Sequence, residues 1–63
     1  MYKVAVLGQG LFRLQRDGNL EVYRNGDWQR ARRRSLVDLP KSIVDVLCQN
    51  SGVNRSQIRT DFE

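Results

Sequence analysis

Histidine is absent from this 63-residue chain, and cysteine, methionine, proline and tryptophan occur once each. A single cysteine, Cys48, forms no internal disulfide, which excludes a secreted disulfide scaffold. Its apolar neighbours make Cys48 a small hydrophobe on a helix face. One thiol and five scattered aspartates make no zinc ligand set, so neither metal nor cofactor is expected. Paired carboxylates at useful spacing are missing, as is any nucleophile beside a base, and the chain reads as a non-enzyme. Long apolar runs are missing too. The longest, Val4 to Leu7, falls far short of the roughly 20 residues of a membrane span, and behind Lys3 it makes no secretory leader. The expectation is one cytoplasmic domain that does not touch a membrane.

What the chain has is arginine. Nine of its eleven basic residues are arginine, and net charge is +4. Hydrophobic content of 40% with 29% charged residues is that of a folded domain, not a disordered one. At this size only about 60% of the unfolded chain's surface is buried, leaving one thin core and no deep pocket. Arginine favours bidentate phosphate contacts and stacking on bases, and a basic surface attracts nucleic acid, anionic lipid or an acidic protein, between which charge alone does not choose.

The turns set the strand pairing. Asn25-Gly26 is a strong signal for a two-residue type I′ hairpin. It places Arg24 opposite Asp27, Tyr23 opposite Trp28 and Glu21 opposite Arg30, each a favourable cross-strand pair. At Asp17-Gly18, a three-residue loop with Asn19 in the left-handed region pairs Leu14 with Val22 and Arg16 with Leu20. At Gly8-Gln9-Gly10, a three-residue loop pairs Val6 with Phe12 and Val4 with Leu14. Alternation then gives one apolar face of Val4, Val6, Phe12, Leu14, Leu20, Val22 and Ala31. The other face holds Lys3, Ala5, Leu7, Leu11, Arg13, Gln15, Glu21, Tyr23, Trp28, Arg30 and Arg32.

The apolar face needs a cover. Asp38 as N-cap and Pro40 in the first turn start a helix whose stripe is Ile43, Val44, Val46 and Leu47, running to about Asn50. Gly52 ends it. The reading is an α+β fold in which residues 1–34 form a three- to four-stranded antiparallel meander. Residues 38–63 form a helical segment, one main helix on one sheet face and a short C-terminal helix. A small SH3-like barrel, with the first strand closing on the fourth, is the alternative.

Two patterns resemble known families. Lys3 to Gly10 resembles the opening of a dinucleotide-binding fold, but Arg13 stands where its third glycine belongs and no second half follows. Gly52-Val53 followed by Ile58 resembles the end of the first helix in acyl-carrier domains; the attachment serine is missing, so that function does not carry over. The stretch from Val44 to Arg59 also has helix-turn-helix spacing, with Asn54 and Gln57 as a capping box. That makes Asn54, Arg55, Gln57 and Arg59 a secondary set of groove-reading candidates. The plainer account is a short helix that completes the core with Val53, Ile58 and Phe62.

The first functional expectation is a small, non-catalytic nucleic-acid-binding module, favouring single strands. Tyr23 and Trp28 would stack or pack, while Arg13, Arg30, Arg32, Arg33 and Arg34 would form a phosphate-contacting ridge. The alternative is a protein-interaction module using the same face, as adaptor, inhibitor or homodimerising regulator, since Trp, Tyr and Arg dominate interface hot spots.

Overall fold

The computed structural model describes residues 2–61. Four strands, β1 (Lys3–Val6), β2 (Gly10–Leu14), β3 (Leu20–Arg24) and β4 (Asp27–Arg30), form an antiparallel sheet in the order of the sequence. Two helices follow, α1 (Arg33–Asp38) and α2 (Lys41–Ser51), then a 3-10 turn at Arg55–Gln57. The expected α+β meander is present. Because β1 and β4 stay at opposite edges, the sheet is open and the barrel alternative falls away.

The β3–β4 hairpin has the expected register. Asn25 (φ 53°) and Gly26 (φ 78°) both occupy the left-handed region a type I′ turn requires, and Tyr23 faces Trp28, Glu21 faces Arg30, and Arg24 faces Asp27. The other two hairpins are each two residues away from expectation. Val4, not Val6, faces Phe12, and Val6 faces Gly10. Leu14 faces Leu20, and Val22 faces Phe12.

Glycines account for both slips. Gly8 (φ 82°) sits in a turn closed by the Gln9 N–H donating to the Val6 carbonyl at 2.9 Å, which leaves Gly10 inside β2. A Cβ on Gly10 would lie 3.3 Å from the Val22 side chain. In the second loop the left-handed residue is Gly18 (φ 98°), not Asn19. Its Cα passes so close to the Gln57 carbonyl that a Cβ there would stand 2.4 Å from the oxygen. Side chains alternate with period two, so a two-residue slip leaves every residue of β1 to β4 on its expected face; Arg32, beyond the end of β4, does not stay on the face expected for it.

That face is the core. Phe12, Leu14, Leu20, Val22 and Ala31 are buried against Leu39, Val44, Leu47 and Val53, with Val4, Val6, Leu36, Ile43, Cys48 and Ile58 packed around them. Burial raises the Cys48 thiol above its ordinary pKa. The covering helix is α2, which lies on β1 and β2. It does not start at Asp38 as expected. Asp38 ends α1, and Leu39 is extended (φ −71°, ψ 139°), as the residue before a proline prefers to be. Pro40 is therefore the N-cap of α2 and not part of its first turn. Gly52 closes α2 in the left-handed conformation (φ 74°), its N–H donating to the Cys48 carbonyl at 2.9 Å.

After α2 the chain returns to the sheet. Val53 is buried and Ile58 half-buried, as the core-finishing account expects; Phe62 lies outside the described residues. The expected second helix is only the 3-10 turn, with the Asn54–Gln57 capping box in place. Helix-turn-helix geometry does not form, because a three-residue turn presents no recognition helix. Instead residues 59 and 61 make isolated parallel bridges to Asn19 and Arg32. The Arg59 N–H donates to the Gly18 carbonyl at 2.7 Å, and the Asp61 N–H donates to the Ala31 carbonyl at 2.8 Å. This return segment ties the entrance of β3 to the exit of β4.

Candidate nucleic-acid interface

No helix of the described residues lies on the second sheet face. The three registers align its side chains in two rows across the strands. One row is Ala5, Leu11, Tyr23 and Trp28; the other is Lys3, Arg13, Glu21 and Arg30. An apolar, aromatic row therefore runs beside a charged row carrying three positive groups and one negative. Leu7, in the loop after β1, is fully exposed near the end of the apolar row.

Where the rows meet, the side chains are tightly organised. The Tyr23 and Trp28 rings meet edge to face, with centroids 5.3 Å apart and an interplanar angle of 65°. The Arg13 guanidinium stacks over Trp28, 4.1 Å from the ring centroid. Its Nε donates to Glu21 Oε1 at 2.6 Å, and Gln15 Nε2 donates to the same oxygen at 2.8 Å. Both partners of the ion pair are mostly shielded, with side chains 23% and 21% exposed. Arg13, expected as a phosphate contact, thus spends part of its donor capacity inside the protein and shields one side of Trp28. Tyr23, 43% exposed, is the more open ring.

The arginine ridge expected at 30–34 is divided. β4 ends at Arg30, whose guanidinium lies 3.8 Å from the Asp61 carboxylate, an exposed and weak pairing. Arg32 precedes α1, and Arg33 and Arg34 begin it, so helical geometry sends successive side chains in different directions. Arg33 lines a shallow cleft with Leu36, Ile58, Arg59, Thr60 and Asp61. Arg32 and Arg34 turn to the helix side of the sheet, where they meet Arg24 and Gln29 in a separate groove.

Sequence reasoning did not place Arg24 and Gln29 in a site. The available signal was strand parity: Arg24 shares a face with Val22, and Gln29 pairs with Val22, so two polar residues continue an apolar face past its buried zone.

The secondary set does not converge into a reading surface. Asn54 and Gln57 satisfy each other's groups in the capping box, Arg55 pairs with Asp45 at 3.3 Å, and the Arg59 backbone is held in the return segment. Among the described residues, no group of three or more Cys, Asp or Glu side chains forms a potential metal site. No helix there is long and apolar enough to cross a membrane. Comparison of the chain with protein-family models, curated proteins and solved structures finds no match.

Proposed function

We propose that this protein is a non-catalytic nucleic-acid-binding module that holds single strands on its open sheet face. One observation carries the reading: the aromatic pair Tyr23 and Trp28, continued by Leu11 and Ala5 in an apolar row, lies alongside the row that carries Lys3, Arg13 and Arg30. Bases stack on aromatic rings and on guanidinium planes, and four-stranded sheets that carry such rings hold two or three bases. In this arrangement Tyr23 is the open platform, Arg13 extends the Trp28 surface, and Lys3 and Arg30 meet phosphates. Stacking without base-edge readout makes the binding tolerant of sequence.

The test is titration of labelled single-stranded and duplex oligonucleotides while Trp28 emission is followed. Single-strand binding should quench Trp28 and weaken steeply between about 50 and 200 mM salt. Tyr23→Ala should cost about 1–3 kcal/mol of binding, the usual worth of one stacked base. Arg30→Ala should flatten the salt slope by about 0.7 for the lost phosphate contact. Unchanged Trp28 emission together with undiminished affinity in Tyr23→Ala would remove the reading.

A second reading is favoured by a specific observation, the fully exposed Leu7, two residues along the chain from Ala5 of the apolar row. An exposed leucine continuing an apolar row suits a protein partner, either an acidic surface drawn to Lys3 and Arg30 or a second copy of the chain. Equilibrium sedimentation separates these versions, since a mass independent of concentration removes the homodimer.

A further inference from the structure

The second concentration of arginine lies on the opposite side of the sheet from Tyr23 and Trp28. Gly8 and Gln9 come from the β1–β2 turn, Arg24 and Gln29 from β3 and β4, and Arg32, Arg34, Ser35 and Asp38 from the α1 segment. Together they enclose an open groove of about 650 Å³. One hydrogen bond braces it: Gln9 Nε2 donates to the Asp38 backbone carbonyl at 3.2 Å, linking the β1–β2 tip to the end of α1. Gly8, one of the lining residues, faces open space, with no atom within 4 Å of where a Cβ would stand.

The groove's chemistry is specific. Three arginines and one aspartate line it, a formal net charge of +2. Among the described residues no carboxylate lies within salt-bridge distance of Arg24, Arg32 or Arg34. A carboxylate ligand needs one arginine fork; three forks with a serine hydroxyl and two carboxamides match an anion with several oxygens. A phosphomonoester, with about −1.5 to −2 charges at neutral pH and three free oxygens, matches both the charge and the donor count. A backbone phosphodiester carries half that charge.

We propose that this groove binds a terminal phosphomonoester group. Arg24, Arg32 and Arg34 hold the phosphoryl oxygens, Ser35 and Gln29 donate further hydrogen bonds, and Asp38 accepts from a hydroxyl or amine of the attached organic group. A free mononucleotide and the phosphorylated end of a nucleic acid share this chemistry. The site is independent of the sheet-face reading, and either stands if the other fails.

The test follows the backbone amides of Gly8, Arg24, Gln29 and Ser35 by NMR in the full chain. The probes are inorganic phosphate, a nucleoside 5′-monophosphate, dimethyl phosphate, and one oligonucleotide with either a 5′-phosphate or a 5′-hydroxyl. Saturable shifts at these amides are expected with the first two at about millimolar concentration, and weaker ones with the diester. Arg24→Gln/Arg34→Gln, checked for a native spectrum, should weaken binding at least about tenfold, and Arg34→Lys less so. If the 5′-phosphorylated oligonucleotide moves the groove amides more than its hydroxyl form does, the source is a nucleic-acid end; preference for the mononucleotide makes it a free nucleotide. Equal response to monoester and diester, no saturable shift at the groove, or unchanged binding in the double variant would overturn the proposal. Trp28 emission during the same titrations reports the sheet face separately.

Discussion

Gly18→Ala isolates one contact on which the fold's closure depends. Gly18 has φ 98°, and the added Cβ would stand 2.4 Å from the Gln57 carbonyl oxygen, closer than real Cβ atoms approach anything. Two costs follow. Placing alanine in a left-handed conformation costs about 1–2 kcal/mol. Relieving the contact requires the return segment to move, and that segment is held to the loop by the Arg59 N–H to Gly18 carbonyl bond (2.7 Å) and the Leu20 N–H to Arg59 carbonyl bond (3.0 Å). Weakening both costs roughly another 1–2 kcal/mol, at about 0.5–1.5 kcal/mol for each bond lost.

The expected loss is therefore about 2–4 kcal/mol. A domain of this size has only about 3–9 kcal/mol to lose, at roughly 0.05–0.15 kcal/mol per residue. At about 4–8 °C per kcal/mol, Tm should fall by roughly 10–30 °C. Gly26→Ala is the internal control. Gly26 is also left-handed (φ 78°), but nothing lies within 4 Å of its Cβ position, so it carries only the conformational cost of about 1–2 kcal/mol. Thermal and urea unfolding followed by Trp28 fluorescence gives both values. Gly18→Ala no more destabilising than Gly26→Ala would refute the argument that the Gln57 contact holds the return segment in place.

Three further outcomes follow from the packing and electrostatics. Phe12→Ala, at a fully buried position on the second strand, should cost about 3–5 kcal/mol and leave the domain largely unfolded at 37 °C by circular dichroism. Glu21→Gln removes the carboxylate that holds Arg13 over Trp28; it should lower the urea midpoint while tightening single-strand binding by oligonucleotide titration, since one repelling charge is gone and Arg13 is released. Unaltered affinity there would separate Arg13 from the binding face. Cys48, its thiol pKa raised mainly by burial, should react with iodoacetamide more slowly than a free thiol near neutral pH. A raised folded-state pKa means the stability it carries is intact below the unfolded thiol's pKa and is lost as pH rises through the folded value. The urea midpoint should therefore drop at alkaline pH in the native chain and drop less in Cys48→Ala.

The sheet was legible because period two constrains it so strongly. Asn25-Gly26 set the third hairpin correctly, and both incorrect registers kept each residue on its proper face. The registers themselves were hidden because the decisive features are not local in the sequence pattern: Gly10 has φ 114° and packs closely on Val22 of the neighbouring strand, and Gly18 is required by Gln57, 39 positions further on. The break at Leu39 was readable from Pro40. The short helix before it was not, because three consecutive arginines carry no hydrophobic period. Tyr23 facing Trp28 and Glu21 facing Arg30 followed from the sequence; the Arg13 stack on Trp28 depended on the β2–β3 register, which was misread.

That same short helix decides what the arginines are able to do. Had β4 continued to Arg34, alternation would have put Arg30, Arg32 and Arg34 on one face as a single ridge. The return segment prevents this. The Asp61 N–H takes the Ala31 carbonyl, and the Asp61 carbonyl accepts the Arg33 N–H at 3.2 Å, so the chain leaves the sheet at Ala31 and coils. Arg30 remains beside the aromatic row, while Arg32 and Arg34 pass to the groove with Arg24. One cluster in sequence thereby becomes two cationic sites on opposite sides of a four-stranded sheet. The division has a measurable consequence, because Asp61 holds it through backbone bonds as well as through its weak pairing with Arg30. Asp61→Asn keeps the backbone bonds and should leave the groove amides unmoved while strengthening the salt dependence at the sheet face. Asp61→Pro removes the N–H that holds Ala31 and should perturb both sites together. If Asp61→Pro shifts only the sheet-face resonances, the return segment does not divide the arginines.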